Sequence, residues 1–219
     1  MKPYLRSIAV SLGALLLAAS ALAATVQVTV TGSVDFNFIG LPPLSGFAPG
    51  APASLTFTVD SNNFVDSVNF PTRGYPIDTS SFVLSSGAAS IGLQNPFPAG
   101  QTPFFALRNN DPAVDGFFVA TSYEFFGGVP LDQTHTTGAR YQHDFHVTYT
   151  GDTLSSLDIL DALGTYDNTG LTVFGWGVWR NSPDFVFLGL DFGQMTITPE
   201  PTSLALLAPL ATLLARRRR

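Results

Sequence analysis

The stretch Val26 to Phe38, VQVTVTGSVDFNF, decides the fold class. From Val26 to Val30 every second residue is a valine, and the residues between are glutamine and threonine. Successive side chains of a β-strand point to opposite faces, so a period of two is typical of a strand with one buried face. The alternation resumes at Val34, beyond a Gly-Ser pair. We therefore predict a long, half-buried strand over this stretch.

Similar strands recur along the chain. Residues 55–59 and 145–149 alternate in the same way, whereas residues 185–188, Phe-Val-Phe-Leu, are apolar throughout and predict either a strand covered on both faces or a wide central strand. Clusters of Gly, Pro, Asn and Asp separate the runs, Arg73-Gly74 among them, and favour turns. The pattern predicts an all-β fold, an antiparallel β-sandwich or jelly roll of about ten to twelve strands with at most one short helix.

One segment has a different period. Leucines recur every third residue from Leu154 to Leu163, with Asp152 before them as a candidate N-cap and Gly164 after them as a stop. This spacing favours a single short helix, although a strand also fits.

Residues 1–23 have the organisation of a secretory signal peptide. A short basic start, Met1 to Arg6, precedes an apolar run that closes on the small-x-small site Ala21-Leu22-Ala23. An uncleaved N-terminal anchor is the alternative, but the apolar run is short for a membrane span. We predict export through the Sec machinery, with cleavage after Ala23.

Charge and cysteine content exclude several functions for the domain that follows, predicted over residues 24–197. Between residues 24 and 200 there are four arginines, no lysine and sixteen acidic residues, which gives a formal charge of −12. Such a surface repels nucleic acid. The chain has no cysteine, which excludes disulfides, thiol catalysis and cysteine-ligated metal clusters.

The last segment, residues 198–219, has three parts. Pro199-Glu200-Pro201 precedes the apolar run Ser203–Ala215, and Arg216, Arg217, Arg218 and Arg219 end the chain. As a helix the apolar run would span about 20 Å, against a hydrocarbon core of roughly 30 Å. Basic residues at both ends of the chain would stay in the cytoplasm. The physics implies a hairpin-like export intermediate held transiently in the inner membrane; a simple C-terminal anchor is the alternative.

These three parts resemble a PEP-CTERM sorting signal. The triplet, the apolar segment and the arginine-rich end each match, and the secretory signal peptide is the expected companion. The resemblance implies export by a Gram-negative bacterium, processing by an exosortase-type transpeptidase, and association with exopolysaccharide or biofilm at the cell surface. It implies nothing about chemistry in the domain.

Few residues are candidates for ligand binding. Trp176 and Trp179 lie three apart, so on a strand one would face the core and the other would face solvent, where an indole can stack on a sugar ring. His143 and His146 would likewise face opposite ways, which disfavours a two-histidine metal site. Loop carboxylates are weak candidates for structural calcium, although turns explain them equally well: Asp60, Asp66, Asp111, Asp115 and Asp167.

No catalytic motif stands out, and we expect no catalytic residue and no required cofactor. The leading hypothesis is a non-enzymatic exported protein with a structural or adhesive role in exopolysaccharide. A carbohydrate-binding module is the second hypothesis. A glycan-active hydrolase is the third, and it would require two carboxylates converging on a cleft.

Overall fold

The computed structural model describes residues 24–200. The predicted signal peptide, with Ala21 and Ala23, lies outside the described residues, as do Pro201 and the four terminal arginines. The described part contains thirteen β-strands and one 3₁₀ turn, Leu44–Gly46. The strands are β1 Thr25–Asn37, β2 Pro52–Asp60, β3 Val65–Asp66, β4 Thr72–Pro76, β5 Val83–Ser86, β6 Ala89–Ile91, β7 Phe104–Arg108, β8 Val114–Ala120, β9 Val129–Pro130, β10 Arg140–Thr150, β11 Gly164–Tyr166, β12 Leu171–Ser182 and β13 Val186–Pro199.

The predicted all-β, antiparallel fold is confirmed. All thirteen strands join one sheet in the order β3-β4-β7-β8-β10-β12-β13-β1-β2-β5-β6, with β11 paired to β13 and β9 paired to β10. Every pairing is antiparallel. Within residues 24–200 no helix is both long and apolar enough to cross a membrane.

The stretch quoted above forms β1, near the middle of the sheet. Val26, Val28 and Val30 are completely buried on its core face. The strand pairs with β2 on one side and with β13 on the other. The register between β1 and β13 shifts twice, with Gly193 as the extra residue of β13 opposite Thr31 and Gly32, and Asp35 as the extra residue of β1 after Val34.

The sheet curls so that each of its ends is bridged to the opposite half of the sheet. The bridges Val59–Ile77 and Leu93–Leu131 connect strands that are far apart in the sheet order. Across the enclosed core, the Phe57 ring of β2 lies 5.3 Å from the Phe105 ring of β7, measured between centroids. Aromatic side chains therefore fill the space between the two halves of the curl.

The helix predicted over residues 154–163 is wrong, because this segment forms turns. Its backbone is held by two buried side chains from elsewhere. The Asp115 carboxylate accepts the Leu154 N–H at 2.7 Å. The Tyr75 hydroxyl accepts the Ile159 N–H and donates to the Leu157 carbonyl, each at 2.9 Å. These contacts replace the hydrogen bonds that a helix would make internally.

Two further predictions are corrected. Coverage of residues 185–188 on both faces is wrong, because Phe185 precedes β13 and is 69% exposed, and only Leu188 is completely buried. The alternative fits: residues 186–188 begin β13, a 14-residue strand in the middle of the sheet. Arg73-Gly74 is not a turn but lies inside β4.

Candidate functional site

The two tryptophans face opposite sides of β12, as predicted. Trp176 is 5% exposed and packs in the core, where its Nε1–H donates to Nε2 of His143 at 3.1 Å. Trp179 lies half-buried on the outer face. Only Trp179 is therefore placed to meet a ligand.

The histidines also separate as predicted. His143 is completely buried, and burial lowers its pKa to about 4, so the imidazole is neutral. His146 lies on the outer face, where its ring stacks on Phe126 at a centroid distance of 4.7 Å. His135 lies in a loop, with Nε2 3.4 Å from a carboxylate oxygen of Asp132.

Trp179 belongs to a row of aromatic rings on the outer face. It is paired with Phe187 across β12 and β13, and the two rings lie 6.0 Å apart with an interplanar angle of 21°. Phe185 continues the row, its ring 5.9 Å from that of Phe187. We call Trp179, Phe187 and Phe185 the aromatic shelf.

Glycines make room for the aromatic shelf. A Cβ atom on Gly128 would lie 2.7 Å from the Trp179 ring, and one on Gly177 would lie 3.2 Å from the Phe187 ring. Both rings therefore lie directly against backbone, which holds them flat on the sheet.

A polar cleft of about 440 Å³ adjoins the shelf. Amide side chains predominate in its lining, and we call it the amide cleft: Gln94, Gln101, Gln133, Gln142 and Asn181, together with Arg140, Tyr141, Pro98 and Pro130. Gln142 links the two features, because its Oε1 accepts the Trp179 Nε1–H at 2.8 Å and the Asn181 Nδ2–H at 3.2 Å.

Closure of the sheet builds the amide cleft. The Leu93–Leu131 bridge places Gln94 next to Gln133, whose Nε2 donates to Gln94 Oε1 at 2.9 Å. A backbone hydrogen bond joins the same two segments, since the Gln94 N–H donates to the Pro130 carbonyl at 3.0 Å. Residues from four separate segments of the chain thus converge on one concave surface, the geometry expected of a small-molecule or oligomer site.

The weak calcium candidates are engaged in local contacts. Asp66 makes a bidentate ion pair with Arg73, and the hydrogen bond from Arg73 holds the pKa of that carboxyl below its usual 3.8. Asp60 and Asp167 each accept a backbone N–H two residues ahead. Asp115 is completely buried and accepts two backbone N–H groups.

Asp111 lies in the loop before β8, the strand that contains Asp115, and its N–H donates to the Val114 carbonyl. Within the described part of the chain, no three His, Asp or Glu side chains are grouped as metal ligands. Structural calcium stays a prediction without a located site.

Two residues of the predicted sorting triplet lie in the described region. Pro199 is the last residue of β13 and pairs with Val26. The Glu200 N–H donates to the Thr25 carbonyl at 2.8 Å. Since hydrogen-bonded and non-hydrogen-bonded pairs alternate in an antiparallel ladder, position 199 needs no N–H toward β1, and proline fits there.

Reasoning from the sequence selected Trp179 but missed the amide cleft. Glutamine and asparagine carry no periodic signal, and the cleft residues are spread from position 94 to position 181. Comparison of the chain with protein-family models, curated proteins and solved structures finds no match.

Proposed function

We propose that the chain is an exported cell-surface or extracellular-matrix protein, sorted by an exosortase-type system, with a non-enzymatic structural or adhesive role in exopolysaccharide. Its curled sheet would serve as a sandwich-type scaffold. The packing of β2 against β7 through Phe57 and Phe105 supports that description.

One observation carries the proposal: the first and last described residues lie together. Ala24, the residue after the predicted signal cleavage site, exchanges two hydrogen bonds with Ser61. Glu200 bonds to Thr25 on the neighbouring strand. An export intermediate held in the membrane by both ends needs those ends to leave the fold at one place, and this arrangement supplies it.

The test is to determine both ends of the protein recovered from the surface of producing cells by intact-mass measurement and terminal sequencing. We expect the chain to start at Ala24 and to lack the arginines of residues 216–219. Surface material that retains Arg219 would contradict sorting-signal processing and favour the simple anchor.

The amide cleft favours the second hypothesis, carbohydrate binding, over the third. A glycosidase needs two carboxylates across its cleft. Among the lining residues within residues 24–200 there is no carboxylate: five are amides, two are prolines, and the others are Arg140 and the completely buried Tyr141. A glycan-active hydrolase stays a prediction with no observation of the cleft in its favour.

A further inference from the structure

We propose that the amide cleft and the aromatic shelf form one continuous binding site for an uncharged polysaccharide chain. The inference deepens the proposed function, on which its biological setting rests, by assigning the matrix contact to named residues and to a chemical class of ligand. Three properties of the site support it.

The first property is the hydrogen-bonding capacity that the cleft leaves unused. Gln94 and Gln142 accept through Oε1, which leaves their NH₂ groups without a hydrogen-bond partner among residues 24–200. Gln133 donates through Nε2, and its side-chain carbonyl oxygen has no hydrogen-bond partner among residues 24–200. Sugar hydroxyls both donate and accept, so a surface that presents amide donors beside amide acceptors matches them.

The second property is a flat apolar surface beside those amides. The stacked Trp179 and Phe187 rings lie on neighbouring strands, and Phe185 extends the row toward solvent. The apolar C–H face of a pyranose ring can pack on such rings, as other flat ligands do. Gln142 bonds to Trp179, so one polymer chain can pass from the shelf to the cleft without a gap.

The third property is charge. Arg140 is the one charged side chain among the described residues that line the cleft, and residues 24–200 carry a formal charge of −12. A polyanion would be repelled at long range by this charge. A neutral polymer avoids the repulsion, and amides bind it without neutralising an ionic group.

Binding is tested on the protein as secreted by producing cells, with whatever tail it retains. The probes are cellohexaose, mannohexaose and xylohexaose, with hexagalacturonate as the charged comparator. Isothermal titration measures affinity, and tryptophan fluorescence reports on Trp179. We expect saturable binding of at least one neutral hexasaccharide with a change in fluorescence, and at least tenfold weaker binding of hexagalacturonate.

Two exposed positions probe the site with little risk to folding. Asn181→Ala removes a cleft amide and Phe185→Ala removes the end of the shelf. Each should weaken the binding at least tenfold. The matched controls are Gln194→Ala, an exposed amide elsewhere on β13, and Phe174→Ala, a 45% exposed ring elsewhere on β12. Both controls should change the affinity less than twofold.

Three outcomes would overturn the inference: no neutral probe binds, hexagalacturonate binds best, or the site variants and the control variants behave alike. Unchanged thermal midpoints for all four variants would show that a loss of binding is not a loss of fold. The intact-mass measurement and terminal sequencing test the proposed function independently. A protein that is processed at both ends but binds no glycan would therefore contradict this inference and leave the proposed sorting intact.

Discussion

His143 is a titratable group enclosed in the core on β10. Its Nε2 accepts the Trp176 indole N–H, its ring meets Phe82 edge-to-face at 5.6 Å, and its Nδ1 is buried without a hydrogen-bond partner among the described residues. The sequence predicted that His143 and His146 would face opposite sides of a strand. The bond to Trp176 could not be foreseen, since it depends on the register of β10 and β12.

We predict that His143 makes the folded protein acid-sensitive. Its pKa is about 4 in the fold, against a usual value of 6.5. Between these values the unfolded chain binds a proton at this residue that the folded protein does not, so stability falls as the pH is lowered from 6.5 to 4 and then levels off. The expected loss is about 3 kcal/mol.

Urea denaturation at successive pH values measures this loss. In His143→Gln the amide oxygen can still accept the indole N–H, but the proton-binding site is gone, so the slope between pH 4 and pH 6.5 should flatten. Asp66, whose pKa is held below 3.8 by its hydrogen bond from Arg73, adds a loss of stability only from about pH 5 downward, so the slope above about pH 5 is the part that Asp66 does not affect. An unchanged slope in the variant would show that other groups govern acid sensitivity.

At the scale of elements, alternation predicted strands well where one face is buried and the other is solvated. β1, β2 and β10 all follow it. The pattern failed where a side chain from another element supplies the backbone contacts, as Asp115 and Tyr75 do for residues 154–159. It also failed at Gly74, where glycine provides space and not a turn: a Cβ there would lie 2.3 Å from that of Tyr123.

Gly32 gives a prediction for β1. A Cβ atom there would lie 1.8 Å from the Asp191 carbonyl oxygen and 2.9 Å from the Trp176 ring. The closer atom is backbone in the neighbouring strand, so a rotamer change cannot relieve the clash. We expect Gly32→Ala to lower the free energy of unfolding by about 3 kcal/mol or more.

Chemical denaturation measures the effect, and Gly40→Ala is the matched control because nothing lies within 4 Å of its added Cβ. The control should change stability by less than about 1 kcal/mol. Equal effects of the two substitutions would mean that chain entropy, and not the bulged geometry beside Gly32, determines the change in the free energy of unfolding.

At the scale of the whole molecule, the sequence indicated the fold class but not the path of the sheet, and it predicted about ten to twelve strands where residues 24–200 form thirteen. The local alternation of apolar and polar residues does not indicate which strands pair. Closure through Leu93 and Leu131, which creates the amide cleft, is a long-range property of that path. Of the three residues of the aromatic shelf, the sequence analysis selected only Trp179 as a candidate for ligand binding.

The adjacent ends predict that the domain tolerates circular permutation. Joining Glu200 to Ala24 through about four flexible residues should be possible without strain. New ends between Asn62 and Asn63, in an exposed turn, should give a protein with the circular dichroism of the parent and one cooperative unfolding transition. Opening the chain between Val147 and Thr148, inside β10, is the control and should prevent folding. If both permutants fail alike, the ends are not adjacent in solution.

The pairing of Glu200 with Thr25 also determines how the molecule responds to mechanical load. Tension applied between the two ends would pull β1 and β13 apart from their shared end, so their hydrogen bonds would break one after another, as in a zipper. Tension between the tail side of β13 and a polymer held at the amide cleft would instead load many bonds of β12 and β13 together, in shear. A protein anchored at one end and holding a strand of matrix at the other would therefore resist far more force than one pulled by its two ends.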